Sequence, residues 1–425
     1  MSCVAQDANH ADRLWRYADA LQEVLSATPA GGSETLPMRL AQGRLLSEAL
    51  CSSEALPPFD NSAMDGFALP LSSEAAAGQE FEIVGEQAAG DEACDLGAAG
   101  CGMEIMTGAR LPSGLSSVVP VEHTVVLPDS GGRRRIRLLQ AVTLGQHVRY
   151  RGEDVPADTP VMAAGTLLGT EQRSLAAALG IASCRVARQP RIAVLATGRE
   201  LVDDPDQPLA SGQIRNSNRP YLESRLGEAG GVLAWSETVT DEIDAFLAAL
   251  DRALDAGADM VVSTGAVSMG RYDFVPDALR QRGADIRFHK CKIRPGKPIL
   301  FAILPGNRLY FGLPGNPISA AVGFRFFVEP AIRHWLGLPV EQAIRLPLLN
   351  ELKAKPPLRL HLKGSVELDA QGRLAARILS GQESFRMRPL LDTRAWLVVE
   401  DDQPAPGAGD QIAAYSPSHL MRLSL

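Results

Sequence analysis

The sequence predicts a multidomain chain of class α/β plus β, and three observations support this prediction. Between Arg191 and Gly337, apolar segments of strand length alternate with amphipathic segments of helix length, which is typical of an α/β domain. Short apolar runs between turn residues fill residues 80–150 and predict a small antiparallel β domain. Residues 342–425 return to short strands punctuated by glycine and proline, so a C-terminal β domain is also expected. The 425 residues are enough for about two to four domains.

Composition excludes several functional classes. The net charge is −8 at pH 7, so the chain lacks an overall basic field for nucleic acid. No apolar run approaches the roughly 20 residues that a membrane helix requires, and we expect no signal peptide. The six cysteines form no Cys-x-x-Cys pair, and the seven histidines form no zinc-binding pattern. We therefore expect a cytoplasmic protein with reduced thiols that binds neither nucleic acid nor membranes.

The first elements of the chain are expected to be helical. Apolar residues at helical spacing predict a helix over residues 11–28, and a second amphipathic segment extends from Leu36 to Leu50. Residues 170–179 predict a short helix with Thr170 as its N-cap, which we expect to pack with the N-terminal helices. The predicted domains are residues 1–55 with 149–187 (helical and linker), 56–148 (inserted β), 188–338 (α/β) and 339–425 (C-terminal β).

Two helices of the α/β region have recognisable ends. Asp241 is expected to cap a helix that carries Phe246 on its apolar face and ends at Gly257. A last helix begins at Pro317 and ends near Gly337. Pro330 is expected to kink or break this helix, because proline lacks a backbone N–H.

The chain is organised around the strand Met260–Val262 and the loop that follows it. Gly265 and Gly270 allow the backbone to turn sharply and to approach a ligand closely. The same stretch offers hydroxyl groups from Ser263, Thr264 and Ser268. Asp273 then adds a carboxylate at the start of the next helix. Ligands of open α/β sheets bind beyond the carboxyl ends of strands, and amides and hydroxyls there suit a phosphate or a polar ring. Taken alone, the stretch also fits a turn that needs glycine only for its geometry.

Two further stretches repeat this pattern. Residues 191–200 form an apolar strand that ends in Thr197-Gly198 and a charged residue, and residues 309–319 end a strand in Leu313-Pro314-Gly315. Asn316 is placed to cap a helix that opens with Pro317. Three strands of one domain that each end in a small polar loop predict a sheet with a ligand-binding edge.

A rigid cationic loop lies between two of these stretches. Arg294 and Lys297 flank Pro295-Gly296, and the prolines around them restrict the loop. In an acidic protein, such a pair next to glycine loops is interpreted as an oxyanion clamp rather than as a surface loop with chance cations.

Three motifs fall in or beside the inserted β domain. Leu56–Ala68 combines prolines with Asp60, Asp65 and neighbouring amide and hydroxyl groups, which predicts a rigid turn that presents side chains. Ile105–Ala109 is a further strand that ends in Thr-Gly. Arg149–Asp154 places two arginines near two acids around a glycine, for which an ordinary charged turn is the preferred interpretation when the motif is considered alone.

Together these motifs resemble the molybdopterin molybdenumtransferases, the bacterial MoeA type, to which the gephyrin E domain is similar. The resemblance covers about residues 10–400 and rests on motifs in the family's order and spacing, namely Pro57–Gly66, Met106–Ala109, Arg151–Asp154, Thr197-Gly198, Arg294–Pro298 and Gly312–Pro317. It implies an elongated four-domain homodimer whose central α/β domain binds molybdopterin. The implied active site lies between that domain of one subunit and the inserted β domain of the other.

The resemblance implies a reaction and assigns residues to it. Adenylylated molybdopterin and molybdate would yield molybdenum cofactor and AMP, with Mg²⁺. The residues that match catalytic positions are Asp65, Thr107, Asp154, Glu200, Asp241 and Asp273, of which Glu200, Asp241 and Asp273 are the implied metal ligands. The residues that match substrate or molybdate positions are Ser263, Thr264, Gly265, Ser268, Arg294, Lys297, Pro314, Asn316, Pro317, Ser319 and Arg386. Molybdate is a tetrahedral oxyanion, which Arg294, Lys297 and the Ser319 hydroxyl would neutralise and orient.

The chain departs from the family pattern at several positions. Arg199 stands where the family usually has an aspartate, Ala266 replaces a usual glycine, and Asn216 stands where an aspartate is frequent. These changes keep a second hypothesis open, a divergent carrier or scaffold that holds molybdopterin with weak or no catalysis. A third is a molybdopterin adenylyltransferase. The implied partners are a second copy of the chain, molybdopterin adenylyltransferase and proteins that deliver the cofactor to molybdoenzymes.

Overall fold

The computed structural model describes residues 13–92, 94, 100–128, 134–267 and 274–421. The chain divides into two compact units. The first unit comprises residues up to Glu34 and from Ala187 onward, and the second unit comprises Thr35–Val186. No helix within the described ranges is long and apolar enough to cross a membrane.

The helices are shorter than the sequence predicts. They are α1 (Tyr17–Ala27), α2 (Thr170–Ala178), α3 (Asn218–Glu228), α4 (Ile243–Asp255), α5 (Val275–Gln281), α6 (Pro317–Gly323) and α7 (Glu329–Trp335). Residues 13–16 are not helical, so the predicted N-terminal helix begins too early. The prediction of an amphipathic element over Leu36–Leu50 is wrong, because only Met38–Leu40 forms a single 3₁₀ turn there. Pro37 precedes this turn, and Gly43 follows it at φ +73°.

The short helix α2 differs from prediction at its start and in its packing. Its N-cap is Gly169 rather than Thr170, because the Gln172 side chain accepts the Gly169 N–H at 3.1 Å. Ala176 of α2 packs with Met38 and Leu46 in a small apolar core. This core belongs to the second unit, whereas helix α1 belongs to the first.

The second unit contains a six-stranded sheet. The six strands of this sheet are β4 (Gly66–Leu69), β5 (Glu80–Gln87), β6 (Cys101–Ile105), β7 (Ser117–Pro120), β8 (Thr124–Leu127) and β9 (Arg135–Leu138). The short strands outside it are β2 (Leu50–Cys51), β3 (Asn61–Ser62), β10 (Val148–Arg149) and β11 (Pro160–Met162). β1 (Ser33–Pro37) precedes them and β12 (Ser183–Ala187) follows. The order in the sheet is β7-β4-β6-β5-β9-β8. β5 and β6 are parallel, so the prediction of an antiparallel domain is wrong for this pair. The connection between them spans residues 88–100, which is long enough for a crossover.

The first unit contains the predicted α/β sheet. The strands between residues 191 and 313 are β13 (Arg191–Thr197), β14 (Leu201–Val202), β15 (Ile214–Arg215), β16 (Val232–Val239), β17 (Met260–Thr264), β18 (Asp285–Phe288), β19 (Ile293–Arg294), β20 (Leu300–Leu304) and β21 (Arg308–Leu313). β14 and β15 pair only with each other, and β19 belongs to the C-terminal sheet. The sheet order is β16-β13-β17-β21-β20-β18, in which the first four strands are parallel to one another. Phe246 and Leu250 of α4 are completely buried against this sheet. The N-cap of α4 is Glu242 and not Asp241, so the predicted cap is wrong by one residue.

The helical path from Pro317 to Trp335 widens near its middle. Between α6 and α7, residues Phe324–Val328 form a π turn, which is the irregularity that Pro330 introduces. Pro330 has no N–H to offer the carbonyl of Phe326 four residues earlier. That carbonyl instead accepts the Tyr17 hydroxyl of α1 at 3.1 Å, so the proline position is coupled to the docking of α1.

The C-terminal β region is also part of the first unit. Its strands are β22 (Ile344–Pro347), β23 (Arg359–Leu368), β24 (Leu374–Ile378), β25 (Ala395–Val399) and β26 (Gln411–Tyr415). The sheet order is β19-β23-β25-β26-β22, and β24 pairs with β23. Because β19 contains Arg294, this sheet begins at the cationic loop that the sequence singled out.

Candidate functional site

Three loops of the first unit lie side by side at one edge of the α/β sheet. β13, β17 and β21 are parallel neighbours, and their register aligns Ala196 with Thr264 and Thr264 with Leu313. The chain segments that follow these strands therefore leave the sheet at the same level. We call this region, formed by residues 197–200, 264–267 and 314–317, the loop edge.

The glycines of the loop edge allow a close approach between backbones. Gly265 has φ +93°, and a Cβ atom built there would lie 2.5 Å from the carbonyl oxygen of Thr197 and 2.6 Å from its Oγ1. Its N–H donates to the Leu313 carbonyl oxygen at 3.1 Å. A Cβ on Gly315 would lie 3.8 Å from the Gly265 Cα. All three loops thus meet at Gly265, which is the position that requires glycine.

Two of the hydroxyl residues predicted for this edge are turned into the sheet. Ser263 is completely buried, and its hydroxyl is hydrogen-bonded to that of Tyr310. The side chain of Thr264 is also buried, while its carbonyl oxygen accepts the Thr197 hydroxyl at 3.1 Å. These side chains support the strand ends. Ser268 and Asp273 lie outside the described residues.

The cationic loop rests on the first turn of α6. Arg294 and Lys297 are exposed, and neither forms an ion pair with any carboxylate of the described residues. Gly296 between them has φ +99°, and a Cβ there would lie 3.4 Å from the carbonyl oxygen of Ser319. Ser319 is only 5% exposed. Asn316 is the N-cap residue and Pro317 the first helical residue, as predicted, although the Asn316 side chain forms no capping hydrogen bond.

The segment that carries Arg386 reaches the same turn of α6. The carbonyl oxygen of Ser384 accepts the Ile318 N–H at 3.0 Å. Arg386 is about half exposed, and its Nε lies 3.1 Å from a carboxylate oxygen of Glu383. Exposed ion pairs of this kind contribute about 0–1 kcal/mol, so the guanidinium can exchange this partner for a bound anion. The two segments that carry Arg294, Lys297 and Arg386 therefore both contact the first turn of α6.

Two predicted metal ligands flank the Gly198-Arg199 turn. A Cβ on Gly198 would lie 2.7 Å from Glu200 Oε1, so the Glu200 carboxylate folds over this glycine. The Asp241 carboxylate accepts the Arg199 N–H at 3.2 Å, which explains why Asp241 does not cap α4. In the part of the chain that the structure describes, no three His, Cys, Asp or Glu side chains form a metal-binding group. Two carboxylates fit Mg²⁺, which commonly takes one or two protein carboxylates and completes its shell with water and phosphate.

A second cluster forms in the second unit, where the Asp65 and Thr107 motifs meet. Oδ1 of Asp65 accepts the backbone N–H of Thr107 at 2.7 Å and its hydroxyl at 2.9 Å. These two hydrogen bonds, that of the backbone first, hold the pKa of Asp65 below its ordinary value. The Asp65 carboxylate is thus kept ionised and oriented.

The Arg151–Asp154 motif packs beside the proline-rich turn of the same unit. The Arg151 N–H donates to the Asp60 carboxylate at 2.7 Å, and the Gly152 N–H donates to the Pro57 carbonyl oxygen at 3.0 Å. Asp154 is exposed, and its carboxylate forms no hydrogen bond or ion pair within the described ranges. The motif is therefore more than an isolated charged turn, because it is fastened to a second motif of the same family pattern.

Sequence reasoning missed a residue that fastens the loop edge. Asn218 at the start of α3 donates from its side-chain amide to the Gly315 carbonyl oxygen at 2.8 Å. An asparagine at a helix start is typical of a local cap. The sequence therefore contained no sign of a contact with a loop 97 residues later.

Comparisons with known proteins match both parts of this arrangement. Residues 15–180 match a family model described as the MoeA N-terminal region (domain I and II), and residues 193–334 match one described as a probable molybdopterin binding domain. A molybdopterin molybdenumtransferase of Synechococcus elongatus is 34% identical over 90% of this chain and 94% of its own length. The chain belongs to the molybdopterin molybdenumtransferase family. Molybdopterin molybdenumtransferase 2 of Mycobacterium tuberculosis is 37% identical over 87% of this chain and 86% of its own length.

A solved structure supports the same family. The crystal structure of a molybdopterin biosynthesis MoeA protein from Pyrococcus horikoshii superposes with a TM-score of 0.78 at 25% identity, covering 96% of this chain and all of that one. The predicted α/β plus β class is confirmed, and so is the prediction of an enzyme of this family. Family membership also supports a molybdopterin-related substrate and a role in molybdenum cofactor biosynthesis.

Proposed function

We propose that this chain inserts molybdenum into molybdopterin. Adenylylated molybdopterin and molybdate are the substrates, and molybdenum cofactor and AMP are the products. The observation that carries the proposal is the pair of exposed cations, Arg294 and Lys297, which pair with no described carboxylate and flank Gly296, the residue that packs against Ser319 beside the loop edge. A rigid pair of cations on a loop that packs against the backbone of a serine suits a tetrahedral oxyanion, because charge and hydrogen bonds can replace its water.

The other groups suit the cleavage of a phosphoanhydride. Water adds to the phosphoanhydride, so that AMP leaves and the pterin keeps its own phosphate. The two dithiolene sulfurs then bind molybdate, one oxygen of which leaves with the two thiol protons as water, and the oxidation state of molybdenum is unchanged. Mg²⁺ held by Glu200 and Asp241 would neutralise phosphate charge. Asp65 remains ionised because Thr107 donates two hydrogen bonds to it, so its carboxylate can orient the attacking water. The resemblance also assigns a catalytic position to Asp154 and the position of a third metal ligand to Asp273.

A homodimer is part of this proposal. The resemblance implies that Asp65 and Thr107 of one subunit serve the loop edge of its partner. Asp65→Asn and Lys297→Ala are each expected to be severely impaired as homodimers. If each site takes one half from each subunit, subunit exchange between the two variants restores about one quarter of wild-type activity, since half of the dimers then hold one intact site. Mixing that restores nothing contradicts the shared site.

A second candidate function is a molybdopterin carrier with little catalysis. Arg199 favours it, because this exposed cation is the neighbour of Glu200 in the chain and its backbone N–H contacts the Asp241 carboxylate, so it lies close to the proposed metal ligands. In that case the chain binds adenylylated molybdopterin without releasing AMP. Arg199→Asp would then raise AMP release, whereas an active enzyme already releases AMP with Arg199 in place.

Variants of the cationic loop test the leading proposal. Lys297→Ala is expected to lower molybdate-dependent AMP release by about 10- to 100-fold, because a charge-assisted contact to the anion is lost. Lys353→Ala is the matched control, since Lys353 is an exposed lysine of the same unit outside the loop. Equal activities of the two variants would exclude the cationic loop as the oxyanion site.

A further inference from the structure

A buried lysine outside the predicted site contacts the segment that carries Arg386. Lys363 of β23 is completely buried. Its Nζ donates to the carbonyl oxygen of Arg386 at 3.0 Å and lies 3.5 Å from that of Glu383. It forms no ion pair with any described residue. Burial is the main reason why the pKa of Lys363 lies below its ordinary value.

The backbone of Lys363 holds the same segment. The Lys363 N–H donates to the side-chain oxygen of Gln382 at 2.9 Å. The Gln382 amide in turn donates to the carbonyl oxygens of Lys363 at 2.9 Å and Leu379 at 2.8 Å. The Arg386 segment, residues 379–386, is therefore fixed to β23 by the side chain and the backbone of one residue.

The Arg386 segment also contacts the candidate site through α6. The Ser384 carbonyl oxygen accepts the Ile318 N–H of α6, and Gly296 of the cationic loop lies against Ser319, the next residue of α6. Lys363 and α6 thus both form hydrogen bonds with the backbone of the Arg386 segment. Burial of a lysine without an ion pair destabilises the folded state, and an apolar side chain of similar size would not carry this cost in free energy.

We propose that Lys363 is a positioning residue for the oxyanion site. It holds the backbone of Arg386 at the first turn of α6, so that the Arg386 guanidinium stays within reach of an anion bound at Arg294 and Lys297. This inference rests on the proposed function, because it requires Arg386 to bind the oxyanion substrate. Lys363 itself does not touch the substrate.

Removal of the lysine donor tests the inference. Lys363→Met keeps the length of the side chain but removes the ammonium. The apparent KM for molybdate is expected to rise by about 10-fold or more, since a small displacement of a binding group has effects of this size. The kcat at saturating molybdate is expected to stay within about 2-fold of wild type, which is the pattern of lost ground-state binding. Lys355→Met is the matched control, because Lys355 Nζ also donates to a backbone carbonyl, that of Asp401 at 3.1 Å, away from the segment.

A double variant separates positioning from a merely structural role. In an Arg386→Ala background, Lys363→Met is expected to raise the molybdate KM by less than about 2-fold, because the residue through which it acts is gone. A structural role would lower kcat and stability by the same factor in both backgrounds. If Lys363→Met does not fold, Gln382→Ala loosens the same segment and is expected to give the same rise in KM.

Each failure has a distinct result. Suppose that Arg386→Ala impairs molybdate use. An unchanged molybdate KM in Lys363→Met then overturns the positioning role, and Gln382→Ala takes the place of that variant if Lys363→Met does not fold. Full additivity of Lys363→Met and Arg386→Ala overturns it as well. If Arg386→Ala itself leaves the molybdate KM unchanged, the proposed oxyanion role of Arg386 fails, and the inference about Lys363 fails with it.

Discussion

Replacement of Gly265 by alanine tests the convergence of the three loops. Its φ of +93° costs an alanine about 1–2 kcal/mol, because the Cβ atom crowds the following carbonyl. The new methyl group would also lie 2.5 Å from the Thr197 carbonyl oxygen, a backbone atom that moves only with its strand. Overpacking of this kind costs about 1–3 kcal/mol. We expect Gly265→Ala to lower the free energy of unfolding by about 2–5 kcal/mol in total.

Gly212→Ala separates the two contributions. Gly212 has φ +87°, and nothing lies within 4 Å of a Cβ built there. This variant therefore carries only the backbone cost of about 1–2 kcal/mol. The assay is equilibrium urea unfolding followed by tryptophan fluorescence. All four tryptophans, at positions 15, 235, 335 and 396, belong to the first unit and report on its unfolding.

The difference between the two variants measures the contact with Thr197. We expect Gly265→Ala to cost about 1–3 kcal/mol more than Gly212→Ala and also to lower AMP release, since the loop edge must shift. Equal costs would refute the close approach of the loops at Gly265, and with it the geometry of the candidate site.

Three further variants test other contacts. Thr107→Val removes the hydroxyl but keeps the N–H that holds Asp65, so the pKa of Asp65 should rise part of the way to its ordinary value, as measured by NMR titration. Because the pKa of Asp65 is lower in the folded state than in the unfolded state, the ionised carboxylate stabilises the fold at pH values above its unfolded-state pKa. This stabilisation is lost as the pH falls through the folded-state pKa, and in the variant the loss should occur at a higher pH. Ala266→Gly relieves a φ of +48° and should raise the free energy of unfolding by up to about 1 kcal/mol. Arg325→Met leaves the buried Glu329 carboxylate without its cation at 3.5 Å and should cost about 3–5 kcal/mol at pH 8. The cost should be smaller at pH 5, because burial raises the pKa of Glu329 to about 7.

The sequence predicted the loop edge because its signals are local. Apolar runs followed by Thr-Gly or Pro-Gly mark strand ends, and consecutive parallel strands bring those ends together. Asn316 and Pro317 were placed correctly for the same reason, since helix starts have their own residue preferences. The cationic loop was also visible, because proline and glycine restrict it locally.

Other features depend on contacts that are distant in sequence. The hydrogen bond from Asn218 to Gly315 and the contact between Lys363 and Arg386 join residues that no periodicity relates. The parallel pairing of β5 with β6 depends on the direction of each strand in the sheet, which the pattern of apolar residues within a strand does not indicate. Asp241 was predicted as a cap because local preference favours aspartate there, but its carboxylate is used by Arg199 of a neighbouring loop.

Molybdate-dependent AMP release tests the central claim most directly. The purified chain is incubated with adenylylated molybdopterin and Mg²⁺, with and without molybdate, and AMP is measured over time. We predict AMP release that rises with molybdate concentration and a pterin product that contains molybdenum. Tight binding of adenylylated molybdopterin without AMP release at any molybdate concentration would contradict the account and would favour a carrier.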